Sequence, residues 1–118
     1  MQVHNYEKLI VWEKSMDLVI FIYGIIKIFP KTEIYGLTSQ IKRSAISIPS
    51  NIAEGSRRST KKDFAHFLVI AFGSASELDT QIKIAFRLKF IKENQYEEVS
   101  KYIYEIMKML NKLIETNK

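Results

Sequence analysis

Apolar side chains recur at three- and four-residue spacing along most of the chain, and this periodicity constrains the fold more than any other feature. The stripes run through four stretches separated by short breaks. No stretch reads as a strand. With only 4 Gly and 2 Pro in 118 residues, the chain lacks the turn residues that a many-stranded sheet needs. The expected fold class is all-α, as a single domain over residues 1–118. A chain of this length buries a core without a metal or a cross-link.

The first stripe predicts a helix from about Lys8 to Phe29, stopped by Pro30. Its polar arc holds Glu13, Lys14, Asp17 and Lys27, yet Ile20, Phe21 and Ile28 also fall inside it. A helix apolar on nearly every side is buried on nearly every side, and a lone four-helix bundle does not bury it so. Ile20, Phe21 and Ile28 are therefore expected at an interface between subunits.

A second helix is expected from Leu37 to Gly55, the glycine serving as its C-terminal residue. Its stripe of Leu37, Ile41, Ala45, Ile48 and Ile52 keeps phase across Pro49. Proline removes one hydrogen bond and clashes one turn back, so one helix kinked near Ser44–Ala45 is expected. Thr60 and Asp63 have capping-box spacing and open a third helix reaching about Phe90. Inside it, Gly73-Ser74-Ala75-Ser76 is small throughout. A mid-helix glycine costs roughly 1 kcal/mol against alanine, an amount that close approach of another backbone would offset. A fourth helix is expected from about Gln95 to Glu115. Four such helices with short connections predict an antiparallel up-down-up-down bundle, with helix two kinked at Pro49.

Several chemistries are excluded by residue type. The absence of cysteine removes disulfides, thiol catalysis and thiolate metal sites. The two histidines are His4 and His66. Asp63 and His66 share a helical face, but the second carboxylate–histidine unit of a di-iron bundle is missing. No phosphate-binding glycine loop, serine elbow or zinc motif is present. No catalytic residue, metal or cofactor is expected, and the chain is not expected to be an enzyme. The most apolar run, Leu18 to Ile26, is far shorter than the roughly 20 residues of a membrane span. No secretory pattern is visible. A soluble, cytoplasmic protein with no membrane partner is the expectation.

The formal net charge is +5. Between Gln40 and Lys62 stand six bases (Lys42, Arg43, Arg57, Arg58, Lys61, Lys62) and one acid, Glu54, so this stretch accounts for the whole excess. Charge runs are usually solvated faces. Cations near a helix C-terminus are stabilised by the dipole and those near an N-terminus are not, by about 0.3–1 kcal/mol each at low salt. Folding thus accounts for Arg57 and Arg58 after helix two, and for Lys83, Arg87 and Lys89 late in helix three. It does not account for Lys42 and Arg43, or for Lys61 and Lys62, which open helices two and three. A polyanion would supply the missing favourable energy. Glu54 is placed to pair with Arg57 or Arg58. In an antiparallel bundle, Lys8, Lys112 and Lys118 share the end occupied by Arg57–Lys62.

Two functions fit these features. One is a non-catalytic, homo-oligomeric adaptor binding the phosphates of structured RNA or DNA through Arg57, Arg58, Lys61, Lys62, Lys42 and Arg43. The other is an oligomeric scaffold whose partner is another protein, with the basic residues merely solvating.

The run Tyr35-Gly36-Leu37-Thr38-Ser39-Gln40-Ile41-Lys42-Arg43-Ser44-Ala45-Ile46-Ser47-Ile48-Pro49-Ser50-Asn51-Ile52-Ala53-Glu54-Gly55 resembles the signature of bacterial four-helix-bundle proteins encoded in 23S ribosomal RNA intervening sequences. Val11-Trp12-Glu13-Lys14 and the segment from Phe67 to Gln81 resemble its other blocks. That family is similar to the accessory protein of diversity-generating retroelements, a pentameric basic barrel that binds nucleic acid and a reverse transcriptase. The resemblance implies a four-helix bundle, a homopentamer and no known enzymatic activity.

Overall fold

The computed structural model describes residue 6 and residues 9–118. Lys8 and His4 lie outside the described residues. The chain forms α1 (Ile10–Ile26), a short 3-10 turn (Lys31–Glu33), α2 (Leu37–Ser56), α3 (Lys61–Arg87) and α4 (Glu93–Thr116). No strand occurs among the described residues.

The helix ends follow from local chemistry. Pro30 disfavours helical geometry in the residue before it, and α1 ends earlier still, at Ile26. Phe29 then turns inward, is buried, and meets Phe90 with ring centroids 5.5 Å apart. Glu33 Oε1 accepts the free N–H of Leu37 at 3.2 Å and so caps α2. Thr60 Oγ1 accepts the Asp63 N–H at 3.1 Å and starts α3. At the far end of α3, Lys89 adopts φ 65° and Phe90 N–H reaches Ala85 O at 2.9 Å. This is a Schellman-type stop built on lysine rather than glycine, and it ends the helix before the expected Phe90.

Pro49 is buried inside α2, and the helix runs unbroken through it. Gly55 does not take the left-handed conformation of a C-terminal glycine. A Cβ placed there would stand 2.6 Å from Phe67 Cβ and 3.2 Å from the Phe64 carbonyl oxygen, so glycine is required by helix contact. The expected role of Gly73 is also corrected. An added Cβ there meets nothing within 4 Å, and neither does one at Gly24 of α1. The small residues that let α2 and α3 approach are the fully buried Ala45, Ala71 and Ala75, together with Gly55.

The core runs along the bundle axis. Leu18 and Ile22 of α1 meet Ile41, Ile48 and Ile52 of α2, with Phe64, Leu68 and Leu78 of α3 and Ile103, Ile106 and Leu110 of α4. Each such side chain contributes about 1.5–3 kcal/mol through removal from water. Contacts fix the helix directions. Lys14 pairs with Glu105 and Phe21 with Tyr102; Ser47 pairs with Ser74 and Ser44 with Gln81. In both series one number falls as the other rises, so α1 runs opposite to α4 and α2 opposite to α3. The body measures 44 × 24 × 19 Å.

The three residues expected at a subunit interface do not behave alike. Ile20 is 70% exposed and Ile28 is 64% exposed. Phe21 is half-buried, packed on Tyr102 at 5.7 Å between centroids. Its apolarity is accounted for within the chain.

Candidate nucleic-acid interface

Two caps build the turn between α2 and α3. Arg57 N–H closes on Glu54 O at 3.3 Å and Arg58 N–H on Gly55 O at 3.0 Å, which ends α2. The Thr60 cap then makes Lys61 and Lys62 the first two residues of α3. Residues 57–63 are all exposed.

The four cations of this turn differ in their surroundings. The Arg57 guanidinium lies 5.0 Å above the Tyr6 ring, with Nη2 donating to the Tyr6 hydroxyl at 3.3 Å. Arg58 pairs with Glu54 at 2.8 Å and lies 4.7 Å from the centre of the Phe67 ring. Both guanidiniums are thereby oriented while keeping exposed N–H donors. Lys61 and Lys62 have no ion pair, hydrogen bond or ring contact among the described residues. They also sit at the positive end of the α3 dipole. Asp63 shares the first turn of α3 and favours the dipole, but among the described residues no ion pair joins it to either lysine.

Lys42 and Arg43 are not part of the turn. α2 starts at Leu37, so both lie beyond its first turn, where the dipole effect has faded. Arg43 stands fourteen residues before Arg57, about 21 Å along the axis at 1.5 Å per residue. Lys42 lies 5.2 Å from the centre of the Tyr23 ring on the α1 side, and Arg43 lines a cleft toward α3. The six bases, consecutive among the chain's basic residues, do not make one patch.

The fold redistributes charge in a second way. Tyr6 beside Arg57, and Leu9–Val11 beside Lys112 and Leu113, place the α2–α3 turn, the start of α1 and the end of α4 together. This end holds six bases and three acids among the described residues from Glu54 to Asp63 and from Lys112 to Lys118. The opposite end, joined by Phe29 and Phe90, carries five bases (Lys27, Lys31, Arg87, Lys89, Lys92) against Glu33 and Glu93. Both ends are thus net positive by three, and the waist between them holds seven acids and six bases. The sequence reading missed the second cationic end because it counted along the chain. Counting charges by bundle end, once four antiparallel helices are expected, recovers it. Lys83 in the waist is occupied. Its hydrogen bond to Asp79 at 2.6 Å, with the attraction of that carboxylate, raises its pKa above the ordinary lysine value.

Among the described residues no three metal-ligating side chains converge, and no helix is long and apolar enough to cross a membrane.

Fold and surface together define a small helical bundle whose α2–α3 turn displays four exposed cations. Residues 7–112 match the model of the family described as 23S rRNA-intervening sequence protein, and the chain belongs to that family. It is similar in structure to a crystallised protein of unknown function from the S23 ribosomal protein family of Bacteroides thetaiotaomicron. The two are 29% identical with a TM-score of 0.83, over 89% of this chain and 98% of that one. No curated protein matches the chain.

Proposed function

We propose that the protein is a non-catalytic, homo-oligomeric adaptor that binds the phosphates of structured RNA or DNA through Arg57, Arg58, Lys61 and Lys62. The observation that supports this most is the unpaired state of Lys61 and Lys62 at the positive end of α3. A phosphate there offsets both the mutual repulsion of the lysines and the dipole. Arg57 and Arg58 add donors from the same turn. Recognition is by charge and shape, since no element among the described residues has the form of a base-reading helix or arm. Self-association is supported by exposed Ile20 and Ile28, apolar side chains that the monomer leaves in water. A five-membered ring, implied by the family resemblance, would repeat the turn around an axis and multiply weak contacts through avidity.

The test is salt dependence. Each neutralised phosphate contributes roughly 0.7–0.9 to the slope of log K against log salt, so four cations give about 3. Lys61→Ala with Lys62→Ala is expected to lower that slope by about 1.5 in a filter-binding titration of a structured RNA. No binding at low salt, or an unchanged slope, rejects the proposal. A protein partner retained from cells after nuclease treatment, with no nucleic-acid binding, favours the scaffold reading instead.

A further inference from the structure

Between α2 and α3, away from the basic turn, lies an open cleft of about 440 Å³ with polar walls. This volume falls in the range of small-molecule sites, ~300–1,000 Å³. At its base, Ser44 Oγ donates to Gln81 Oε1 at 2.5 Å, and these side chains are only 3% and 7% exposed. Gln81 is a largely buried carboxamide whose oxygen is satisfied, while its Nε2, with two N–H donors, has no hydrogen-bond partner among the described residues and is open to the cleft. Gln81 nevertheless lines the cleft. The hydroxyls of Ser47 on α2 and Ser74 on α3 also line the cleft, 2.8 Å apart.

Two opposite charges face this cleft from its two sides, Arg43 from α2 and Glu77 from α3. They form no ion pair with each other or with any described residue. Both side chains are exposed, and opposite charges at one cleft that are not spent on each other complement a ligand that bears both signs. Phosphate chains fit poorly, since Glu77 repels them. Nucleobases fit poorly, since no lining residue is aromatic and stacking is absent. An apolar peptide side chain finds no apolar wall.

We infer that this cleft binds a small zwitterion of the free α-amino-acid class. Its carboxylate lies on the Arg43 guanidinium and the Gln81 Nε2 donors, and its ammonium lies on the Glu77 carboxylate. Gln40 and the serine hydroxyls supply the remaining hydrogen bonds. The site is independent of the phosphate-binding turn.

The full chain is titrated calorimetrically with each of the common free L-amino acids, and with acetate and methylammonium as the separate halves of the ligand. At least one amino acid is expected to bind saturably, while neither half does so at the same concentration. Arg43→Gln and Glu77→Gln, both surface changes, are each expected to weaken that binding tenfold or more, with the melting temperature of the free protein unchanged. Gln81→Glu places a carboxylate against the ligand's own and is expected to weaken binding likewise. Absence of saturable binding by any amino acid overturns the inference, as does binding unaffected by Arg43→Gln and Glu77→Gln. A change in sedimentation of those two variants without any amino-acid binding assigns the cleft to contact between copies, and also overturns it.

Discussion

Gly55→Ala separates a glycine needed for contact from one needed for backbone freedom. In an α-helix, alanine is favoured over glycine by about 1 kcal/mol, and Gly55 has ordinary helical backbone, so propensity alone forecasts stabilisation. Packing forecasts the reverse. The new methyl would stand 2.6 Å from Phe67 Cβ, 3.1 Å from Phe64 Cδ1 and 3.2 Å from the Phe64 carbonyl oxygen. Comfortable carbon–carbon separation is ~3.5–4.0 Å. Phe67 Cβ and the carbonyl are fixed to the α3 backbone and have no rotamer by which to retreat. α2 and α3 must part where Ile52 and Phe64 are buried, at an overpacking cost of typically 1–3 kcal/mol. Set against the propensity gain, this leaves a net loss of up to about 2 kcal/mol, and unfolding entropy at this size, on the order of 250 cal/mol/K, converts it to a fall of up to about 8 °C. Gly73→Ala is the control. No atom lies within 4 Å of its added methyl, so the propensity gain stands alone and the melting temperature should rise by about 2–4 °C. Both are read by far-UV circular dichroism melts. A Gly55→Ala protein that melts at or above the parent temperature refutes the contact reading.

Two further outcomes follow from the same geometry. Thr60→Ala removes the acceptor for the Asp63 N–H and should cost about 0.5–2 kcal/mol in urea titration, whereas Thr60→Ser retains most of it. Ile20→Asp and Ile28→Asp, at 70% and 64% exposed positions, should leave chain stability within about 0.5 kcal/mol while shrinking the species seen by sedimentation. Unchanged sedimentation dismisses that face as an interface. Phe21→Asp should instead lose stability directly, through its Tyr102 contact.

Periodicity made the four helices legible because each buries a stripe, and the stripe is written at helical spacing. Their ends were less legible where the device was tertiary or unusual. Lys89 takes a left-handed stop that composition assigns to glycine, and Gly55 looks like such a stop but answers to Phe67 on another helix. The turn at Arg57–Lys62 was visible, since caps and dipoles act locally. That Lys42 and Arg43 stand apart from it was visible too, since they open helix two and Arg57 follows its end; which helices they face was not, because facing direction depends on which helix packs where. The cleft beside Gln81 was hidden for the same reason. Its serines, amides and charges stand on two helices, far apart in number, and only the antiparallel register sets Ser44 against Gln81 and Ser47 against Ser74.

A rod 44 Å long with like charge at both tips carries net charge but almost no dipole along its length. A distant polyanion therefore pulls on it but exerts scarcely any torque. At physiological salt the screening length is about 8 Å, so neither tip senses the other. Long-range attraction sets how often the two molecules meet, and touching distance alone decides which tip stays.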